Sequence, residues 1–419
     1  MQTLRPGLKD LHGTYEPLTW SNIPYAHAWL IAYLFMAYLT RRPHTHIVRL
    51  LFLPIFVYFM FWCTLRYRIE DPRFGWYNWL RGLLALAATA QAITFASRPE
   101  GLLRIGEIRH APLPNETYQQ PYGSGNGIVP QTPESRVIVL ACISDAFEVG
   151  VLARGIGWQY AYGLHVPKAR RPSERSSYLK STLISVMRAY LFVDLIDSFL
   201  DTLPGITATT GSLYLPALSP VLRYIVATAL HVLAGFVIIL GIEMWYDIAS
   251  LVGVGVFQQS PSLWPPFHDE PWFSSSLHEF WSKRWHQALR QTFLVYGGYP
   301  GWWVAGDLGM LFGTFLASGL FHEIGLYVAG EPIDPWVTLF FFAQPFGILA
   351  EKFYKKQTGR RVNGTLGVVM VVVFVYLAHS PTADSWLRRG MGGKVITPPA
   401  LSPARRIIIP YLRGLCESH

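Results

Sequence analysis

Long apolar runs recur along this chain and constrain it more than any other feature. A helix crossing a hydrocarbon core of roughly 30 Å needs about 20 mostly apolar residues. Inside lipid, every backbone N–H and C=O must also be satisfied within the structure. Qualifying runs lie at 25–40, 47–65, 76–95, 183–200, 222–245, 308–328, 336–350 and 366–377, with weaker ones at 137–152, 248–257 and 400–412. Composition agrees: 51% of the 419 residues are hydrophobic and only 15% charged, whereas a soluble domain is about a quarter charged. Disorder and a water-soluble globule are excluded, and the expected fold is an all-α polytopic membrane helix bundle of about eight to ten spans. The first run has no basic segment directly ahead of it and no small-residue cleavage site after it, so it reads as a retained helix. Cys63, Cys142 and Cys416 are too few and too scattered for a disulfide framework or a cysteine-based zinc site.

Loop charge sets the expected orientation, because Lys and Arg concentrate on the cytoplasmic side. The linkers 203–221 and 330–335 contain neither and are assigned to the lumen. The segment 97–180, the segment 245–306 with Lys283, Arg284 and Arg290, and the run from Lys352 to Arg361 fit the cytoplasm. The loop 66–73 and the C-terminal tail break this pattern. The net charge of +9 is spread over loops, which points to a lipid bilayer and phosphate-bearing substrates and away from nucleic acid. Pro, Gly, Asn, Ser and Tyr dominate 112–133, an expected irregular loop. No internal repeat is present, so residues 1–419 read as one membrane domain with a mostly cytoplasmic excursion at 97–180.

Ionisable side chains at membrane depth are expensive and point to function by default. His322 and Glu323 sit inside the apolar run 308–328, with Ser318 one turn earlier and Gly319 leaving room beside it. Neighbouring helical residues point about 100° apart, so Glu323 does not simply orient the His322 ring. A buried neutral imidazole is available as a general base; a histidine that glues two helices together is the other reading. A second constellation runs from Trp264-Pro265-Pro266-Phe267 through Phe280-Trp281-Ser282-Lys283-Arg284-Trp285-His286 to Arg290. Aromatic rings beside basic residues suit a cytoplasmic-side interfacial helix, capped by serines 274 to 276, and the cations around His286 suit a phosphate-bearing molecule. Third, Asp194, Asp197 and Asp201 share one helical face. They suit either Mg²⁺ bound against a diphosphate or a polar bundle interior paired with Arg188. Asp145, Glu148 and Arg154 form a candidate polar network at the cytoplasmic edge. Gly155 and Gly157 lack the strand and third glycine of a dinucleotide fingerprint. Nucleophile-elbow, P-loop and HExxH motifs are all absent from the sequence, which counts against a serine hydrolase, an ATP-driven pump and a zinc protease.

With Phe280-Trp281-Ser282-Lys283-Arg284-Trp285-His286 followed by Ser318-Gly319-Leu320-Phe321-His322-Glu323, the sequence resembles the wax synthase-like branch of the membrane-bound O-acyltransferase superfamily. The Pro-rich lead at 264–267 belongs to the resemblance, which covers mainly the motif-bearing region 261–327. The stretch Arg154-Gly155-Ile156-Gly157-Trp158 also looks like fungal members that acetylate terpenoid or meroterpenoid natural products. The resemblance implies acyl transfer from acyl-CoA to a hydroxyl in an intramembrane tunnel. It implies His322 as catalytic base and His286 at the partner position, often Asn or Asp elsewhere in the superfamily. Around them Trp281, Lys283, Arg284, Trp285, Arg290, Ser318 and Glu323 are candidate substrate or CoA ligands. No metal and no permanent cofactor are expected, with acetyl-CoA as co-substrate.

The expected function is thus acetyl transfer from acetyl-CoA to a lipophilic secondary-metabolite alcohol, in an integral protein of the endoplasmic reticulum or another endomembrane, with CoA entering from the cytosol. The close alternative is a long-chain wax ester or diacylglycerol synthase. Phe315, Phe321 and Trp303 are candidate residues setting the acyl length. From other classes come a Mg²⁺-dependent intramembrane prenyltransferase or terpene cyclase using the three aspartates, and a non-catalytic transporter.

Overall fold

The computed structural model describes residues 15–107, 146–151 and 154–417. The expected irregular loop at 112–133, Cys142, Asp145 and residues 137–145 and 152 of the apolar stretch at 137–152 lie outside the described residues. Almost everything else is helix. Five helices are long and apolar enough to cross a membrane: His46–Arg66, Pro72–Ser97, Pro220–Gly255, Arg290–Val328 and Gly364–Arg388. The main helices are α1 (Trp29–Thr40), α2 (His46–Arg66), α3 (Gly75–Ser97), α4 (Arg175–Leu200) and α5 (Pro220–Gly255). They continue with α6 (Arg290–Val328), α7 (Pro335–Thr358), α8 (Gly364–Arg388) and α9 (Ile409–Glu417). The polytopic all-α architecture read from the sequence therefore holds. The stretch at 248–257 is no separate element, because α5 runs unbroken for 36 residues.

Polarity is distributed as lipid demands. Ile47, Leu51, Ile55, Val221, Tyr224 and Leu366 are exposed, while Arg49, Asp194, Asp197, Gln344, Arg389 and Lys394 are buried. In water such a distribution would cost heavily; in a bilayer the outer apolar ring is solvated and the polar groups pair inside. The basic loop that broke the charge pattern is locally neutralised. Arg66 pairs with Glu16, Arg73 with Asp71, and Arg68 donates to the carbonyl of Ala329.

A reversal inside the run 290–328 departs from the sequence reading. At Ala305 and Gly306 the backbone leaves helical geometry, Gly306 with φ +57° and ψ −140°, and α6 folds back on itself as two antiparallel arms. Glycine makes this possible. A Cβ on Gly297 would lie 2.0 Å from the Gly313 carbonyl oxygen, and one on Gly301 would lie 2.1 Å from that of Gly309. Two glycines spaced by four on each arm thus meet face to face, the close approach that small residues permit between membrane helices.

The segment 277–304, expected on the cytoplasmic side, enters the bundle. Its start is held by Glu351 of α7, which accepts from the Leu277 and His278 amides at 2.6 and 3.1 Å. Further along, Trp281 Nε1 donates to Gln344 at 3.0 Å, seven residues deeper on α7, and Phe293 packs edge-on against Phe321. The first arm of α6 then returns beside the second arm toward the end from which it came. The chain enters, turns and exits at one end of the bundle as a re-entrant loop whose non-helical stretch at 285–289 packs against protein, where irregular backbone is tolerated. The expected interfacial helix is correspondingly short. One α-turn at Leu277–Glu279 and one π-turn at Phe280–Arg284 precede irregular chain at Trp285–Leu289.

Candidate active site

His322 projects from the second arm of α6. Gly319 lets α7 approach so closely that a Cβ there would stand 2.8 Å from the Thr338 Cα, and this brings Phe341 flat against the His322 ring at 4.8 Å. Nδ1 donates to the Ser318 carbonyl at 2.7 Å. That hydrogen bond assigns the tautomer of the neutral ring and leaves the lone pair on Nε2. Nε2 has no hydrogen-bond partner among the described residues, and the ring keeps accessible surface although protein surrounds it. Ser318 thus orients the histidine through its carbonyl.

His286 sits at the inner end of the re-entrant loop. The Pro-rich lead is bracketed against α5: Arg154 donates to the carbonyl of Pro266 at 2.9 Å, and the Tyr246 hydroxyl donates to that of Pro265 at 2.8 Å. The lead in turn presents Phe267, which stacks on the His286 ring at 5.4 Å, and His268, whose ring is 5.8 Å away. His286 Nδ1 is buried without a partner, as is His268 Nε2, while His268 Nδ1 meets Glu243 at 3.0 Å. His322 and His286 are close enough to interact electrostatically. The structure therefore brings together two imidazoles with open nitrogens, walled by Phe267, Phe293, Phe321 and Phe341.

The remaining sequence candidates divide. Trp281 and Trp285 form the aromatic wall with Phe280, Phe315 and Phe341. Lys283 and Arg290 are exposed and make no side-chain hydrogen bond or ion pair among the described residues. Arg284 is committed, with Nε to Glu279 at 2.8 Å and NH1 to the Asp269 carbonyl at 3.1 Å. Burial works against the Glu279 carboxylate, yet the Ser275 amide and hydroxyl and Arg284 hold it below its ordinary value. Glu323 faces away from His322 in a buried ion pair with Arg389 at 2.9 Å, and it also accepts the Asp334 amide at 2.7 Å. Phe315 and Phe321 belong to the site's surroundings, but Trp303 is 80% exposed at the hairpin tip, which removes it as a tunnel-lining residue.

The aspartate cluster is consumed by structure. Asp194 accepts the Ala404 amide at 2.8 Å, and Asp197 accepts the Ile396 amide at 3.1 Å. Arg405 lies 3.9, 3.1 and 3.7 Å from Asp194, Asp197 and Asp201. Arg405, not Arg188, is thus the partner, and this cluster offers a cation no open carboxylate face. Sequence reasoning quoted His268 without singling it out and did not see that Arg154 holds the Pro-rich lead. Three histidines within nineteen residues, at 268, 278 and 286, were the available signal for the former.

Fold and site together define a polytopic helical membrane protein with His286 and His322 near one another among aromatic side chains. Residues 264–344 match the Membrane bound O-acyl transferase family, and that segment holds both histidines, the re-entrant loop, the hairpin and Gln344. The match over residues 264–344 agrees with the resemblance drawn from the two motifs, both of which lie inside it. It is 25% identical over 286 residues to the O-Mevalon transferase yanI of Aspergillus niger, covering 60% of this chain and 61% of that protein. Against an acetyltransferase of Arthrobotrys oligospora the identity is 24% over 278 residues, 56% of this chain and 55% of the other. Against "Probable long-chain-alcohol O-fatty-acyltransferase 6" of Arabidopsis thaliana it is 30% over 123 residues, 27% and 36%. The chain thus spans between about a third and three-fifths of the length of these curated relatives.

Proposed function

We propose that this protein is an acyl-CoA-dependent O-acyltransferase that moves an acetyl group from acetyl-CoA to a hydroxyl of a lipophilic terpenoid or meroterpenoid alcohol. His322 carries the reading, because its Nδ1 proton is committed to Ser318 and its Nε2 lone pair faces the interior. In the reaction, Nε2 takes the proton of the acceptor hydroxyl as that oxygen attacks the thioester carbonyl, a general-base step contributing typically 10²–10⁴-fold. The new C–O bond forms, and the oxyanion accepts a hydrogen bond from the N–H of His286. Collapse breaks the C–S bond, and the thiolate leaves with the proton returned by His322. No acyl-enzyme is required, because the thioester is already activated. Lys283 and Arg290 are the cations assigned to the CoA phosphates, with CoA arriving from the cytosolic face of an endomembrane. Residues 261–327 supply the catalytic groups of a single domain.

The name of the Arthrobotrys relative favours acetyl transfer, the Aspergillus niger relative is named an O-Mevalon transferase, and the name of the plant relative keeps long-chain acyl groups in view. The test uses microsomes carrying the chain, labelled acetyl-CoA or palmitoyl-CoA, and a panel of lipophilic alcohols, read by mass spectrometry. The expected result is an acetyl ester that disappears in His322→Ala while the protein still accumulates. Esters from palmitoyl-CoA alone would move the assignment to wax synthesis, and turnover undiminished in His322→Ala would overturn it.

A further inference from the structure

A second histidine pair lies outside the reaction just described. His231 of α5 and His379 of α8 are hydrogen bonded, Nε2 to Nδ1, at 2.7 Å. His379 is close enough to His322 to interact with it electrostatically, and the two are joined through Phe340 and Phe341, with successive ring centroids 4.9, 4.9 and 4.8 Å apart. On its other side His379 lines a mostly apolar cavity that opens at one end. The walls are Leu230, Val237 and Ile238 of α5 with Ala383 and Leu387 of α8. Asp197 reaches the lining but is already engaged by Arg405 and two backbone amides.

The protons of the pair can be assigned. The Ser380 hydroxyl donates to the Tyr376 carbonyl at 2.7 Å, so toward His231 Nδ1, 3.4 Å away, it can only accept. His231 therefore carries its proton on Nδ1 and accepts on Nε2. His379 then donates from Nδ1, and in a neutral ring this leaves a lone pair on Nε2. Burying even one unpaired imidazolium inside an apolar bundle is costly, which favours the neutral form of both rings. Nε2 of His379 has no partner among the described residues.

We propose that this cavity is the chamber for the acceptor alcohol, and that His379 Nε2 recognises it by accepting a hydrogen bond from a hydroxyl on a largely apolar body. The identity of the ligand as acceptor rests on the transferase reading; the recognition chemistry rests on the cavity and the tautomers. Phe340 and Phe341 stand between His379 and His322, so the hydroxyl held here is not the one that reacts. The ligand class is a lipophilic alcohol with at least two hydroxyls; etherifying the one at His379 abolishes it as a donor. The cavity is also lined by Ile206 and Leu213 from the linker without Lys or Arg, on the far side of His322 from Lys283, so the two substrates converge from opposite ends.

The test uses the full chain in microsomes and two photoprobes: a long-chain alcohol bearing a diazirine, and its methyl ether. The alcohol is expected to label the walls near 230–238 and 379–387 about three- to ten-fold more than the ether, the scale of one buried neutral hydrogen bond. His379→Phe should abolish that preference. His379→Gln, which restores an acceptor oxygen near the Nε2 position, should retain part of it. Ala234→Phe, which fills the cavity from α5, should lower labelling by both probes. A preference that survives His379→Phe, or labelling confined to other helices, would overturn the proposal. Photolabelling needs no acyl donor, so specific labelling without ester formation would sink the transferase reading alone. Ester formation without labelling of these walls would sink the chamber alone.

Discussion

The acids of α4 and the histidines around the re-entrant loop place equally expensive groups inside the bundle, yet the two regions treat them in opposite ways. Asp194, Asp197 and Asp201 converge on Arg405 and on backbone amides of the 396–404 segment. Glu323 and Arg389 repeat that solution on α6 and α8. His286 Nδ1 and His268 Nε2 stay unpaired in an interior where an open polar atom costs about 1–3 kcal/mol. Paired charges of this kind hold helices together, whereas the nitrogens of His286 and His268 are left buried without a partner. Sequence spacing left the aspartates open between a Mg²⁺ site and a polar bundle interior paired with Arg188; the pairing with Arg405 gives the polar interior with a different partner.

The sharpest way to break this comparison is at His322. His322→Ala should lower acyl transfer by about 10²–10⁴-fold with membrane accumulation unchanged, measured by ester formation normalised to protein level. The matching change in the acid cluster should act on folding. Arg405→Ala strips a buried cation from three carboxylates, and removing one partner of a buried pair costs about 3–5 kcal/mol. Accumulation and thermal stability in detergent should fall, while turnover per folded molecule persists. A stable Arg405→Ala protein whose lost turnover returned with added Mg²⁺ would reverse the assignment of the two regions.

His286 sharpens the same contrast. Removing an oxyanion donor costs about 10²–10³-fold in comparable sites, so His286→Ala should approach the His322 variant in kcat. His286→Asn, which keeps an N–H but cannot act as a base, should retain part of the activity. Equal loss in both variants would give His286 a proton-transfer role beside His322.

The helices were legible because lipid imposes a length and an apolar pattern that survive without any tertiary knowledge, as α2, α5 and α8 show. His322 and His286 were legible because each sits in a dense local motif. The α6 hairpin was not. Gly297, Gly301, Gly309 and Gly313 acquire meaning only once two arms are known to face each other, and the first arm lies in the segment 245–306 that loop charge assigned to the cytoplasm. Arg389 lies 66 residues from Glu323, and Arg405 lies 208 from Asp197. No periodicity reports pairing at that range, so the acids looked open. His379 and His231 are single histidines on apolar faces, and their partnership across 148 residues is equally invisible.

The smallest expected effect separates three cations within eight residues. Arg284 is spoken for by Glu279 and the Asp269 carbonyl, so Arg284→Ala should loosen the re-entrant loop and lower stability more than it changes the KM for acyl-CoA. Lys283 and Arg290 are exposed and without side-chain partners among the described residues. A solvent-exposed charge contact to a phosphate is worth little in water and is screened by salt. Each alanine variant should therefore raise the KM for acyl-CoA only about two- to five-fold and leave kcat in place. Raising the ionic strength should erase the difference from wild type, because screening removes the same contact that the substitution removes. A shift in kcat, or one indifferent to salt, would place these side chains in the reacting geometry and make the open cations more like the histidines than like a phosphate docking edge.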